Sequence, residues 1–404
     1  MTGKRKSNIG KKTKKRSNPT VLQVLPSLEM GGGGVERGAV DVAIAVAESG
    51  ARSLVVSHGG DMVRELERAK VTHFQLPLHS KNPWTILVNI GRLEKIIREN
   101  KVDIVHARSR APAWSAFYAA KRVGAHFVTT FHGTYTGVDN FLKKYYNSIQ
   151  TRGERVIVIS RFIGKHIRSI YGVEENRIRL VHRGIDLDRF DPAKVSAERL
   201  VQLAKKWRLP DGMSVVMLPG RITRWKGQTI MINALAQLGR HDIRCLLVGA
   251  DQGRAGYRRE LETLLQRFGL ADIVHVMEHC TDMPAAYMLS DVVVSASTDP
   301  EAFGRVVAEA QAMGRPVIAS DHGGVGEMVH SEKTGWLFPP GDAEALAGVL
   351  RRVLDLNPVE REVLTKTATD YIHKNFSKQK MCDRTLGVYN DVMASRRTKK
   401  RVPI

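Results

Sequence analysis

A basic loop in the second half of the chain carries the first residues that could do chemistry. Arg221 and Lys226 stand five positions apart between Gly220 and Gly227, directly after an apolar stretch. An arginine offers a planar fork of donors and a lysine a point charge, so the two side chains together could hold a diphosphate. Two cations on a loop are otherwise ordinary solvated surface. The position after a predicted strand favours the anion site.

Two glutamates belong to a second motif. Glu301 precedes a stretch of helical spacing and Glu309 lies within it, about two turns further on. The spacing predicts a helix beginning at Phe303, and the N–H groups of Phe303, Gly304 and Arg305 would then form a second anion site. Apolar residues surround Glu309, so its carboxylate needs a partner, and a ribose diol is one that fits.

A glycine-rich loop, Gly31–Gly34, follows the first apolar stretch of the chain and opens a helix. Glycines let backbone N–H groups approach a phosphate, and a helix N-terminus adds further donors. The alternative is a flexible turn. The dinucleotide fingerprint G-x-G-x-x-G fails because Glu36 or Arg37 stands where its third glycine belongs, and there is no G-x-x-x-x-G-K-[ST] motif. An NAD-dependent oxidoreductase and a P-loop protein are therefore disfavoured.

Short apolar stretches alternate with helical ones along most of the chain. Their apolarity is continuous, which is typical of strands buried on both faces of a parallel sheet. The predicted strands are 21–25, 53–57, 103–106, 126–130, 156–159 and 178–182 in the first half, and 214–218, 244–249, 273–277, 292–295 and 317–319 in the second. This repetition predicts an α/β protein of two Rossmann-like, doubly wound parallel-sheet domains.

The domain boundary is predicted near residue 190. The first domain would then span residues 21–190 and the second residues 191–394, with a C-terminal helix able to return to the first domain. Basic tails, residues 1–20 and 395–404, are predicted to be disordered. Ligands of such sheets bind outside the carboxyl ends of the strands, so we expect the site in a cleft between the domains.

Basic residues exceed acidic ones by 22 over the 404 residues, and the excess is uneven. The two tails carry 13 of it, residues 21–190 carry nine, and residues 191–394 are balanced. This division argues against specific nucleic-acid binding and indicates that the first domain meets an anion. The chain has no apolar run long enough to span a membrane, no signal-peptide core and no C-x-x-C pair, which favours the cytoplasm.

The motifs taken together resemble those of glycosyltransferase family 4. They are, in order, the glycine loop, G-R-x-x-x-x-K-G at 220–227, E-x-F-G-x-x-x-x-E at 301–309, D-H-G-G-V-G-E at 321–327 and G-W-L-F at 335–338. The similarity spans about residues 21–390. It implies a retaining enzyme of GT-B fold, in which two Rossmann-like domains face each other across a cleft.

The resemblance also implies roles for individual residues. Arg221 and Lys226 would hold the diphosphate of a nucleotide-sugar donor with help from backbone N–H groups around Gly304, Glu309 would bind the ribose, and Glu301 would contact the transferred sugar. His132 matches the family histidine near the reacting centre; by itself it is a strand-end residue that could simply cap backbone. The implied donor-binding residues are Gly32, Gly33, Gly34, Arg221, Lys226, Phe303, Gly304, Arg305 and Glu309, and the implied catalytic residues are His132, Glu301, Arg221 and Lys226. No metal or other cofactor is expected, because two cations and a helix N-terminus can stabilise a diphosphate leaving group.

The acceptor is predicted from the first domain. Arg108 and Arg110 follow the strand at 103–106 and are candidate acceptor anchors, unless they are plain surface arginines. We expect an anionic glycan or glycolipid acceptor, such as a lipopolysaccharide core. By resemblance the donor is GDP-mannose or a UDP-hexose. The sequence departs from the family pattern at two places. It has H-R-G-I-D at 182–186 where N-G-V-D is common, and Ala302 where glycine is usual. Both positions bear on how the sugar is recognised.

Other functions remain open at this stage. A sugar-nucleotide epimerase has a related fold but lacks the paired glutamates, and a glycan phosphorylase is normally a much longer chain. A non-enzymatic basic protein that binds membranes or nucleic acid through its tails is the alternative from another class. For an enzyme, the tails predict peripheral association with the inner face of the cytoplasmic membrane, since each basic residue near an anionic surface contributes about 1 kcal/mol.

Overall fold

The computed structural model describes residues 18–29, 34–135 and 140–399 as two α/β domains. The strands of the first sheet are β1 (Thr20–Val24), β2 (Arg52–Ser57), β3 (Thr72–Gln75), β4 (Ile104–Ala107), β5 (His126–Phe131), β6 (Arg155–Val158) and β7 (Ile178–Leu180). Those of the second sheet are β8 (Ser214–Pro219), β9 (Ile243–Val248), β10 (Val274–Met277), β11 (Val292–Ser295), β12 (Val317–Ser320) and β13 (Trp336–Phe338).

Helices connect most successive strands and cover both faces of each sheet. Those of the first domain are α1 (Gly34–Glu48), α2 (Val63–Arg68), α3 (Pro83–Glu99), α4 (Arg110–Val123), α5 (Phe141–Ser148) and α6 (Arg161–Tyr171). They are followed by α7 (Ala197–Trp207), α8 (Gln228–Leu238), α9 (Ala255–Arg267), α10 (Met283–Met288), α11 (Arg305–Ala312), α12 (Ala343–Leu354), α13 (Pro358–Asn375) and α14 (Lys378–Lys399).

Both sheets are parallel and have corresponding strand orders. The first runs β3-β2-β1-β4-β5-β6-β7 and the second β10-β9-β8-β11-β12-β13. The order therefore reverses between β1 and β4 and again between β8 and β11, and such switch points leave a crevice at the carboxyl ends of the strands. The predicted GT-B fold class of two facing doubly wound domains is confirmed.

Two edge strands were absent from the sequence prediction. β3 has the burial pattern of an edge strand, with no fully buried residue, and its sequence THFQ is largely polar. β13 is only three residues long. Continuous apolarity identifies strands covered on both faces, so short or half-exposed edge strands do not produce the signal.

The last helix crosses back onto the first domain. Buried residues of α14, among them Met381, Tyr389 and Val392, pack against Val21 of β1 and Val42 of α1. Asp391 of the same helix receives hydrogen bonds from Arg155 and Arg179, at the beginnings of β6 and β7. The two domains are thus joined by the chain after β7 and a second time by α14.

The predicted basic tails fall largely outside the described residues. Residues 1–17 and 400–404 are not described, whereas residues 395–399 continue α14 and so are helical rather than disordered. Within the part of the chain that the structure describes, no helix is both long and apolar enough to span a membrane.

Candidate functional site

The loop after β8 is held against the end of β11. Gly227 has a φ of +74°, and a Cβ there would lie 1.8 Å from the carbonyl oxygen of Ala296. Only glycine allows this approach, because any side chain would overlap the backbone. The loop that carries Arg221 and Lys226 therefore lies at the switch point of the second sheet, beside the segment that leads from β11 to Glu301.

Lys226 and Glu301 meet at this point. The Lys226 ammonium forms an ion pair with Glu301 Oε1, and both side chains are largely buried, with exposed fractions of 14% and 16%. Ser297 Oγ donates to the same oxygen at 2.9 Å. Lys226 Nζ also lies 4.3 Å from the centre of the Trp225 ring. Two residues that the sequence placed 75 positions apart as donor ligands thus form one charged pair.

Arg221 borders the same loop from the solvent side. Its side chain is exposed, and its guanidinium carbon is 5.7 Å from the centre of the Trp225 ring, the ring that Lys226 also approaches. Both predicted diphosphate ligands therefore flank one indole. Arg221 is free to turn toward a ligand, whereas Lys226 would have to share or leave Glu301.

The helix after Glu301 begins later than predicted. α11 starts at Arg305 because Gly304 has a φ of +91°, which is left-handed and outside the helical region. Phe303 is not its first residue: the Phe303 ring is buried, 5.8 Å from the ring of Phe376. The helix thus offers the N–H groups of its first turn from Arg305 onward, rather than from Phe303 as the spacing predicted.

Glu309 is buried, and both of its carboxylate oxygens accept hydrogen bonds within the protein. Its Oε1 accepts from Arg305 Nη2 at 2.6 Å and from Nε at 3.1 Å, and its Oε2 accepts from the Tyr287 hydroxyl at 2.9 Å. The Glu309 carboxylate raises the pKa of Arg305, and burial with the same carboxylate raises the pKa of Tyr287 well above its usual range. The partner that the apolar setting demanded is therefore present already. Tyr287 had no sequence signal, since it lies in a different helix, α10.

The glycine loop reaches the second domain through Gly34. Gly32 and Gly33 lie outside the described residues. A Cβ on Gly34 would come within 2.9 Å of Arg183 Nη1 and 3.1 Å of Arg305 Cδ. The first residue of α1 therefore meets an arginine of α11 across the cleft, and Arg183, just after β7, lies between them.

Arg183 is the central side chain that sequence analysis did not select. It donates to the carbonyl oxygen of Gly34 and, at 3.0 Å, to His132 Nδ1. Burial, together with Arg305 and Arg108, lowers the pKa of Arg183 to about 9. The available signal was its place at a strand end, in the H-R-G-I-D segment that departs from the family pattern.

The contact with Arg183 determines the tautomer of His132. Arginine has only donors, so His132 Nδ1 must accept, and the imidazole proton lies on Nε2. Burial and the guanidinium groups of Arg183 and Arg108 hold the pKa of His132 well below its usual range, which keeps the ring neutral. His132 Nε2 is buried and has no partner among the described residues. It is thus an unused hydrogen-bond donor.

Arg108 and Arg110 occupy different environments. Arg108 is 5% exposed, so it is not a surface arginine; its Nε donates to Gln23 Oε1, and its Nη2 is buried without a partner among the described residues. Burial lowers the pKa of Arg108. Arg110 donates to Asn147 Oδ1 at 2.8 Å and stacks 3.9 Å from the centre of the Tyr135 ring. The two arginines, predicted to anchor the acceptor together, therefore do not face the same cavity: Arg108 lines the one that His132 lines, and Arg110 does not.

Two cavities meet at Arg183. One lies between the domains and is lined by Gly34, Gly38, Arg305 and Glu309, together with Arg183. The other lies in the first domain, where Arg183 shares it with Arg108 and His132. Among the described residues, Arg221, Lys226 and Glu301 line neither cavity. The same part of the chain contains no group of three or more histidine, cysteine, aspartate or glutamate side chains placed to hold a metal ion.

Family models divide the chain in the same way as the two sheets. The one described as Glycosyltransferase Family 4 matches residues 32–189, and the one described as Glycosyl transferases group 1 matches residues 202–371. The chain belongs to glycosyltransferase family 4. The first match begins after β1 and ends just after β7, and the second begins in α7 and extends beyond β13, so each falls within one domain of the glycosyltransferase.

Known relatives of this glycosyltransferase cover most of its length. A glycosyltransferase from Rickettsia africae ESF-5, known from a crystal structure, has 36% sequence identity to this chain and superposes on it with a TM-score of 0.86. The match covers 94% of this chain and 99% of that one. A D-inositol 3-phosphate glycosyltransferase of Xylanimonas cellulosilytica is 31% identical over 65% of this chain and 66% of the relative. Anabaena HepE, solved in complex with UDP-glucose, is 21% identical with a TM-score of 0.78, over 92% of this chain and 99% of HepE. The likeness to HepE shows the fold alone.

Proposed function

We propose that this glycosyltransferase transfers a hexosyl residue from a nucleotide-sugar to an anionic glycan or glycolipid, with retention of configuration. The observation that carries the proposal is the Lys226–Glu301 pair at the switch point of the second sheet, beside the first turn of α11. A cation, a carboxylate and free helix N–H groups are what a sugar diphosphate needs: donors for its phosphates and an acceptor for its hydroxyls.

Charge develops on the leaving nucleoside diphosphate as the sugar departs. Lys226 and Arg221 would stabilise that charge, and the N–H groups of the first turn of α11 would add to it. When Lys226 turns to the phosphate, Glu301 is released from the ion pair and its oxygens can accept hydrogen bonds from sugar hydroxyls. The residues supply electrostatic stabilisation and need no metal for it. We propose a metal-independent enzyme and name no catalytic base.

Glu309 would bind the ribose of the donor. A carboxylate has about four acceptor positions, and Arg305 with Tyr287 uses three of them. These contacts fix the orientation of the carboxylate while leaving one position for a ribose hydroxyl. The nucleotide would then lie between Gly34 of the first domain and α11 of the second, where the interdomain cavity is lined by Arg305 and Glu309.

The acceptor would lie against the first domain. Arg108 Nη2 and His132 Nε2 are donors without a partner among the described residues, and both side chains line one cavity with Arg183. An anionic group with several oxygens suits such a set. The Xylanimonas relative is named for a phosphorylated acceptor, D-inositol 3-phosphate, which supports the same chemistry here. The candidate donors are a UDP-hexose and GDP-mannose, and the donor screen distinguishes them. A lipopolysaccharide core, met at the inner face of the cytoplasmic membrane, is the acceptor to test first.

The test is a donor screen followed by product analysis. Thermal unfolding is measured with UDP, GDP and ADP and with the corresponding nucleotide-sugars. We expect a selective rise in Tm for one nucleotide, and Lys226→Ala should abolish that rise. Turnover with membrane extracts, in the presence and absence of EDTA, followed by NMR of the product anomer, tests metal independence and retention. No response to any nucleotide would reject the proposal and favour a basic membrane-binding protein.

A further inference from the structure

The excess positive charge of the first domain comes almost entirely from three segments. Residues 79–93, 109–123 and 140–153 contain eight lysines and arginines and no aspartate or glutamate, whereas residues 21–190 as a whole have a net charge of +9. Asp139, next to the third segment, lies outside the described residues. The rest of the first domain is therefore close to neutral, and its charge is concentrated rather than spread.

The same three segments pack together as one surface. They contain residues 83–93 of α3, all of α4 and all of α5. Ser115 Oγ of α4 donates to the carbonyl oxygen of Ile86 in α3 at 2.8 Å. The indole of Trp114 in α4 donates to the carbonyl oxygen of Tyr146 in α5 at 3.3 Å and lies 5.4 Å from the ring of Tyr145. The charges are thus neighbours in space although they are far apart in sequence.

This surface is also unusually apolar. Of the eleven large hydrophobic side chains that are exposed among the described residues, seven lie on α3, α4 and α5. The most exposed are Trp84 (73%) and Leu87 (58%) at the beginning of α3, and Phe141 (78%) and Leu142 (73%) at the beginning of α5. We call these four residues the apolar rim. Lys143 and Lys144 follow the rim directly in α5, and both are exposed.

We propose that the apolar rim and its lysines dock the protein on an anionic lipid membrane. Aromatic and aliphatic side chains among lysines are the composition of helices that lie in the membrane interface. Nucleic acid would meet the positive charge but gives leucines no apolar medium to enter. The surface keeps an excess of positive charge although Glu94, next to the first segment, pairs with Arg122 at 3.6 Å. A second copy of the chain would place this surface against a like-charged one. Charge complementarity and the aliphatic content together favour lipid.

The position of the rim determines which way the cleft faces. α3 and α5 begin after the carboxyl ends of β3 and β5, the edge of the sheet that borders the cleft. The described chain that leads to each tail lies at the other edge: Asn18 hydrogen-bonds the Ser49 carbonyl next to the start of β1, and Asp391 of α14 binds Arg155 at the start of β6. Docking by the rim would turn the cleft mouth toward the lipid, whereas docking by the tails would turn it away. The proposal thus extends the proposed function to a lipid-linked acceptor that enters from the membrane.

Vesicle partition tests the proposal directly. The full chain is mixed with phosphatidylcholine vesicles with and without phosphatidylglycerol, and the bound fraction is measured by flotation. We expect binding only with phosphatidylglycerol. The pairs W84S/L87S and F141S/L142S should each lower the partition coefficient by about tenfold, as expected for two partly inserted side chains. The pair K143E/K144E should lower it at least as much, and added salt should weaken the wild type similarly.

The second domain offers matched controls for each variant. Val359 (71%) and Val363 (62%) on α13 are equally exposed apolar residues, and Lys205 and Lys206 on α7 are an exposed lysine pair. V359S/V363S and K205E/K206E should leave vesicle binding unchanged. Deleting residues 1–17 should retain most of it. All substituted side chains are exposed, so the variants should fold with wild-type Tm.

Three results would overturn the proposal. The first is wild-type partition in both rim variants. The second is a loss of double-stranded DNA binding, and the third a loss of self-association, in the rim variants while vesicle binding persists. The Tm response to nucleotides in the same variants separates this proposal from the proposed function, because lipid docking leaves donor binding intact. Vesicle binding without any nucleotide response would reject the transferase and keep the docking surface.

Discussion

Two cations of the second domain and two of the first are held in different ways at the cleft. In the second domain Lys226 pairs with Glu301 and Arg305 with Glu309. In the first domain Arg108 is buried and Arg183 is half-buried. Neither has a carboxylate within hydrogen-bonding distance among the described residues, and the pKa of each is lowered. A paired cation can exchange its carboxylate for a phosphate when a ligand arrives. An unpaired one is already poised for an anion, at the expense of stability in its absence.

The largest effect is expected at the exchangeable pair. Lys226→Ala should lower kcat/KM about 10²–10³-fold, the usual loss when one stabilising donor is removed from a developing anion. Arg224→Ala is the matched control: Arg224 lies in the same loop but pairs with Glu260 on the surface, so its loss should change kcat/KM by less than about threefold. Steady-state kinetics with the donor identified by the screen checks both. Equal losses in the two variants would mean that the loop, not the pair, matters.

A variant of the Arg305–Glu309 pair should show how much the pair contributes to nucleotide binding and how much to stability. Glu309→Gln keeps the size of the side chain but leaves Arg305 without its counter-charge, so nucleotide affinity should fall about 10- to 100-fold and unfolding free energy by about 1–2 kcal/mol. Isothermal titration and denaturant unfolding measure the two effects. Glu344→Gln, the same change at an exposed position in α12, should do neither. Unaltered affinity with lost stability would make Glu309 a structural residue only.

In the first domain, Arg183→Met should remove the hydrogen bond that holds His132 in the Nε2–H tautomer. We expect kcat to fall about tenfold, since one oriented hydrogen-bond donor is worth about 1–1.5 kcal/mol. Long-range ¹⁵N correlation spectra of the histidines should show an Nε2–H imidazole for His132 in the wild type and a mixture of tautomers in the variant. Arg177→Met removes an arginine that instead contacts the carbonyls of Thr151 and Gly153, and it should leave the His132 spectrum unchanged. A wild-type Nδ1–H form would contradict the geometry.

The smallest effect follows from the lowered pKa of His132. Because the folded protein binds this proton less readily than the unfolded chain, stability is complete above the usual histidine pKa of about 6.5 and is lost as the pH falls through it. At pH 5.5 the loss is at most about 1.4 kcal/mol for one histidine. Denaturant unfolding at pH 7.5 and 5.5 should therefore show a smaller pH effect in His132→Asn than in the wild type. Identical pH effects would place the His132 ring in solvent.

Much of the fold was readable because the central strands are apolar throughout. The predicted strands 292–295 and 317–319 agree with β11 and β12 to within one residue, and only the half-exposed β3 and the three-residue β13 gave no signal. The second-domain motif was readable too, since Lys226 and Glu301 each follow a strand at a glycine-bounded turn. Local sequence determines such turns, and parallel topology brings their ends together.

Sequence by itself thus determined the fold class, the charge imbalance and the residues that end on the cleft. Only the tertiary structure determined which side chains contact each other. Arg183 orients His132, and Tyr287 donates a hydrogen bond to Glu309. Arg108 is buried, whereas Arg110 stacks on Tyr135. The tertiary structure also gathered eight charges from three separate segments onto one surface. These contacts join residues that are distant in the chain, so their geometry depends on how helices pack on the sheets, and periodicity along one segment carries no information about that packing.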